Sequence, residues 1–145
     1  MKRILLASIA FGALSFVAVA QTAGDQALPK GFKTTPLVKS GMTASNMKVA
    51  YAVGGDAEIT AVIGELEAGG RTARHQHPVP VVVYVLEGTI TLQADGGPPR
   101  EYKPGQAYIE DINHWHQAFN NTASLTKILV VFAGVQGKPT TINAQ

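Results

Sequence analysis

From Met47 onward the chain alternates short runs of β-branched and aromatic residues with clusters of glycine, proline, asparagine and aspartate, a pattern that predicts strands and turns. Met47–Val53 runs into Gly54-Gly55-Asp56, Glu58–Leu66 into Gly69-Gly70, and Val79–Leu86 into Glu87-Gly88. Thr89–Ala94 then meets the turn cluster at 95–99. Beyond Lys103-Pro104-Gly105 come a short run Ala107–Glu110, another at His116–Phe119, and a long one at Leu125–Ala133. No stretch of useful length holds apolar residues at helical spacing, so the expectation is an all-β sandwich or barrel over 47–135.

The flanks lack this alternation. Residues 21–46 are polar and interrupted by Pro29, Gly31, Pro36 and Gly41, and predict an extended arm anchored by Phe32, Leu37 and Val38. The tail, 136–145, is polar, carries Gly137 and Pro139, and is expected to be loosely packed. Residues 1–20 differ from both. Met1-Lys2-Arg3 precedes an uncharged stretch from Ile4 to Val19 that ends in Ala18-Val19-Ala20, the pattern of a secretory signal cleaved after Ala20. An uncleaved anchor is the rival reading, but the stretch is slightly short for a span of about 20 residues. The expectation is a periplasmic or secreted bacterial protein with no stable membrane association after cleavage.

Charge sharpens that picture. Removing Lys2 and Arg3 takes the basic count from 12 to 10, equal to the 10 acidic residues, so the mature chain is formally neutral. No basic cluster remains to neutralise phosphates, and nucleic acid is not an expected partner. Cysteine is absent, which excludes thiolate metal sites, cysteine nucleophiles and dithiol redox chemistry and leaves the fold to rest on its core. Asn120-Asn121-Thr122 fits a glycosylation pattern, yet beside a bacterial-type signal it reads as a turn.

What chemistry is left lies in four histidines, all in two clusters: His75-Gln76-His77 and His114-Trp115-His116. On a strand, residues two apart share a face, so His75 and His77 can offer two ligands to one metal ion. A lone His-x-His pair is as readily a surface accident. A second pair further along shifts the balance toward a site. Pro78 and Pro80, which lack backbone donors, suit the edge or mouth of a sheet.

With these residues in place, the chain resembles a small bacterial cupin. The first cupin motif spaces a glycine, His-x-His, a glutamate and a glycine, and Gly69, His75, His77 and Gly88 fall on it, with Val81 where the glutamate stands. The second motif is matched by Gly105, His116 and Asn120, with Asp111 and Asn113 replacing its proline and glycine. The resemblance spans about Met47 to Ala133. It implies a double-stranded β-helix, or jelly-roll, barrel that binds a divalent metal ion through His75, His77 and His116. His116 is then expected to approach from the hairpin opposite the first pair. The ion is not specified: iron, zinc, copper, nickel and manganese all remain open.

Val81 leaves the three-histidine site without its usual carboxylate, with open positions for water, dioxygen or substrate. Glu110, at the end of its strand, is the candidate replacement, as a direct ligand, a group behind the ligands or a residue of the rim. Glu110 and His114 are the candidate proton carriers, and Trp115 either covers the cavity or packs between sheets. Val81, Val83 and Val85 share the parity of His75 and His77 and are expected to line the pocket with them. Arg71 and Arg74 are expected on the surface.

Two functions fit. One is a dioxygenase-like metalloenzyme acting on a small organic substrate; the other is a non-catalytic small-ligand-binding protein, a reading to which Val81 lends support. Fold cannot choose between them. The resemblance, together with the open strand edges of so small a barrel, leads to the expectation of a homodimer.

Overall fold

The computed structural model describes residues 33–145. The signal-like segment and the first part of the arm lie outside the described residues. Among the described residues nine strands form: β1 (Ala57–Leu66), β2 (His75–Gln76), β3 (Val81–Glu87), β4 (Ile90–Ala94), β5 (Arg100–Tyr102), β6 (Ala107–Ile109), β7 (His116–Phe119), β8 (Thr126–Val135) and β9 (Ile142–Asn143). They make two antiparallel sheets, in the orders β1-β8-β3-β6 and β5-β4-β7-β2-β9. This is the jelly-roll barrel that the pattern and the resemblance implied.

The inward residues of β3 build the core. Val81, Val83 and Val85 are at most 1% exposed and pack with Ile90 and Leu92 of β4, Ala118 of β7 and Ile128 of β8. Burying each such side chain contributes about 1.5–3 kcal/mol. Glu87-Gly88 ends β3 for a steric reason. Gly88 has a φ of 72°, and a Cβ there would lie 2.6 Å from the Leu125 carbonyl oxygen and the Thr126 hydroxyl, so only glycine fits the turn.

The strand expected at Met47–Val53 does not form. Its only ladder contact is an isolated bridge from Lys48 to Met42, and Tyr51 and Val53 are 80% and 88% exposed. Alternation alone makes no strand without a partner edge. Instead, the described part of the arm folds into a tight loop, with Thr43 N–H donating to Met47 O and Asn46 at a φ of 63°. That loop docks on the end of β6: Ala44 N–H donates to Ile109 O at 2.8 Å, and Ser45 N–H to Asp111 Oδ1 at 3.3 Å.

The tail also departs from expectation. Ile142 and Asn143 pair with β2, and Ala144 N–H donates to Arg74 O, so this segment extends the second sheet and covers the flank of the His75-Gln76-His77 stretch. Two residues carry too little periodicity to announce a strand.

Candidate metal centre

His75 and His116 are direct cross-strand partners in the β2–β7 ladder, and His77, just past β2, is held by a bridge to Ile112. His116 thus comes from the neighbouring strand of the same sheet, not from an opposite hairpin. Pairing puts His116 on the face already shared by His75 and His77. The three ring centroids are 4.5, 4.8 and 5.1 Å apart. One ligating atom from each falls within 4.8 Å of the others, and all three residues are buried.

The protonation of these rings follows from their partners. His75 Nδ1 lies 2.7 Å from Ala73 O, His77 Nδ1 2.8 Å from Thr140 O, and His116 Nδ1 2.9 Å from His114 O. A carbonyl oxygen can only accept, so each Nδ1 carries the hydrogen, and in the neutral tautomer that this selects the lone pair lies at Nε2. His116 Nε2 is buried with no hydrogen-bond partner. Such fixation by a second hydrogen bond is the usual arrangement behind a metal-bound imidazole. Burial, joined by repulsion from His116 and His77, also holds His75 below the ordinary imidazole value, against the pull of the Ala73 carbonyl and Glu110. The donor set therefore fits a divalent cation.

Glu110 reaches the cluster from the other sheet. It follows β6, and its N–H donates to Val81 O at 3.0 Å. Its carboxylate is buried, with Oε2 3.0 Å from His77 Nε2 and Oε1 3.8 Å from His116 Nε2. Glu110 is thus brought together with the three histidines, whereas the ring of His114 is not. His114 Nε2 lies 3.0 Å from Asp95 O, and the residue serves the site through its own carbonyl on His116. Trp115 is half-buried under the Arg74 guanidinium, 4.8 Å from the ring centre, and Arg74 pairs with Asp95. Neither expected position for the tryptophan, cavity mouth or inter-sheet packing, describes that surface stack.

A cavity of about 290 Å³ opens beside the histidines. Its apolar wall is Leu66, Ile128, Val130 and Phe132, with the Phe132 ring 5.4 Å from that of His77. The β3 valines do not line it. The chain crosses from one sheet to the other through Pro78-Val79-Pro80, so strand parity does not carry from His77 to Val81, and the valines are consumed by the core. Arg71, expected only at the surface, is exposed and also borders the cavity. Sequence reasoning missed Thr140, Thr141 and Phe132, none of which sits in a recognisable motif.

The motif positions around the site are structural. Asn113 has a φ of 54°, the left-handed conformation that glycine normally supplies and asparagine tolerates. Asn120 is fully buried. Its side-chain amide donates to Leu66 O, Glu67 O and Ser124 O, and its Oδ1 accepts from Thr122. An asparagine so engaged offers no free amide for glycosylation, in accord with the turn reading.

Residues 62–132 match the family model described as "Cupin domain", in accord with the two-sheet barrel and its cluster of three histidines. Among solved structures, the chain is similar to the polyketide cyclase RemF from Streptomyces resistomycificus, at 27% identity and a TM-score of 0.52, covering 63% of each chain. It is also similar to the DMSP lyase DddQ from Ruegeria pomeroyi DSS-3, at 23% identity and a TM-score of 0.52, covering 59% of this chain and 43% of that one. Oxalate oxidase in complex with the substrate analogue glycolate matches at 17% identity and a TM-score of 0.53, covering 59% and 46%. The present chain thus spans under half of the lyase and oxidase chains and under two thirds of the cyclase. No curated protein matches it.

Proposed function

We propose that the protein is a metal-dependent enzyme, dioxygenase-like, that binds a small organic molecule in the cavity beside His75, His77 and His116. One observation carries the reading: three buried imidazoles, each with Nδ1 fixed on a backbone carbonyl, bring one possible ligand atom apiece within 4.8 Å of one another. A divalent ion bound there supplies Lewis acidity and, where it is redox-active, a route for electrons to dioxygen. The apolar wall from Leu66 to Phe132 excludes water from one side of the site and favours a substrate with hydrocarbon or ring character. The likeness to a polyketide cyclase supports a small organic substrate.

The site residues divide the work. His75, His77 and His116 hold the ion, and Glu110 stands where it touches both the ion's position and the cavity. His114 takes no proton in this scheme, since its ring faces Asp95. Export and a homodimer belong to the same proposal. The signal-like N-terminus supports the first, and the exposed apolar side chains of the edge strand β1, Ile59, Val62 and Ile63, support the second.

Elemental analysis of the purified protein, followed by dioxygen uptake with a panel of small aromatic and hydroxylated substrates, tests the reading. One ion per chain and substrate-dependent uptake are expected. A chain that carries no metal after incubation with any first-row divalent ion overturns it.

A further inference from the structure

We infer that Glu110 is a fourth metal ligand, a carboxylate supplied across the sheet in place of the one missing at position 81. The inference rests on the three-histidine reading above and adds to it. Val82 pairs with Ile109 in the β3–β6 ladder, which sets Val81 beside Glu110, and the Glu110 N–H donates to the Val81 carbonyl. A carboxylate lost from β3 is therefore replaced from the adjacent strand of the same sheet, at nearly the same height along the barrel.

Electrostatics makes the case. Glu110 is 5% exposed and has no cationic Lys or Arg partner among the described residues. An ionised carboxylate buried without compensation is costly. Its two oxygens lie 3.0 Å from His77 Nε2 and 3.8 Å from His116 Nε2, and in the tautomer with hydrogen on Nδ1 both ring atoms are acceptors, so four lone-pair atoms sit close together. A proton on His77 Nε2 would relieve the 3.0 Å contact only. His116 Nε2 would still be buried and unpartnered, 3.8 Å from Oε1. One cation at the common centre compensates all four groups.

Position 81 gains by the exchange. Val81 is fully buried in the core cluster, paired in register with Phe132, whose ring walls the cavity. Moving the charge one strand over keeps the β3 edge of the site apolar while preserving a ligand set of three imidazoles and one carboxylate, which leaves a divalent ion with one net positive charge.

The test is metal affinity by chelator competition, using zinc as the probe, for wild type, Glu110→Gln and the double variant Val81→Glu, Glu110→Val. Glu110→Gln is expected to bind zinc at least about 100-fold more weakly, and the double variant to recover at least tenfold of that loss. If the wild type binds no zinc, the three-histidine reading itself fails. If the wild type binds and Glu110→Gln binds equally, only the fourth ligand fails. Infrared difference spectra of the wild type, with and without zinc, need no variant to fold: a displaced carboxylate stretch is expected, and silence in that region overturns the inference.

Discussion

Two segments of this chain carry the same three-residue pattern, His75-Gln76-His77 and His114-Trp115-His116, and the structure uses them differently. In the first, both rings join the three-histidine cluster. In the second, only His116 does, while the His114 ring turns to Asp95. The difference lies in the backbone. Residues 75–77 run extended, paired with β7 and β9 and bridged at Ile112, so period-two alternation holds. Residues 113–115 leave a left-handed turn at Asn113 before β7 begins, and alternation does not apply there. Spacing in sequence predicts a shared face only where the chain is already a strand.

The largest effect that would sharpen this contrast is on metal affinity. His77→Ala or His116→Ala is expected to weaken binding by more than about 100-fold, whereas His114→Ala should change it less than about threefold, since its carbonyl remains. Competition titrations of the three variants decide; a large loss in His114→Ala would break the comparison. Next in size is removal of residues 140–145, which takes away the Thr140 carbonyl on His77 and the β9 pairing. An affinity loss of about 10–100-fold is expected, matching loss of an outer partner of a ligand.

Stability responds differently at the two segments. Asn120 ties the far end of β7 to Leu66 and Glu67, so Asn120→Ala takes the amide donor from the buried Leu66 carbonyl, while the Glu67 carbonyl keeps the Gly70 N–H, and should cost about 2 kcal/mol in urea denaturation. Acid acts on the first segment. His75 in the folded chain sits below its ordinary value of about 6.5, so as pH falls past that value the unfolded chain takes up the proton first. The metal-free protein should therefore lose stability from about pH 6.5 downward until the lowered folded value is passed, and bound metal should leave over the same range. Denaturation midpoints that are flat between pH 7.5 and 5 would contradict the assigned burial. The smallest effect is at the turn: Asn113→Gly should be neutral within about 0.5 kcal/mol, and Asn113→Val should cost about 1–2 kcal/mol.

Much of this architecture was legible in the sequence. The runs ending at Leu66, Glu87-Gly88 and Ala94 are strands because each alternation is long and closed by a turn residue whose conformation the backbone requires, as at Gly88. The three clustered histidines were legible because two motifs fixed their spacing. What was not legible depends on partners. Met47–Val53 alternates well but meets no edge, while Ile142–Asn143 barely alternates and finds one. The facing of Glu110 was open because it lies at a strand end, where only the β3–β6 register decides which way a side chain is carried. The crossing at Pro78-Val79-Pro80 hid that His77 and Val81 belong to different sheets.

Residues 140–143 have a consequence for how the protein matures. His77 is oriented by Thr140, and β2 has β9 as one of its two neighbours, so the cradle is unfinished until the polypeptide has been made through residue 143. An ion captured by a partly emerged chain would meet misaligned rings and escape; secure loading would mark a molecule whose synthesis has passed that point.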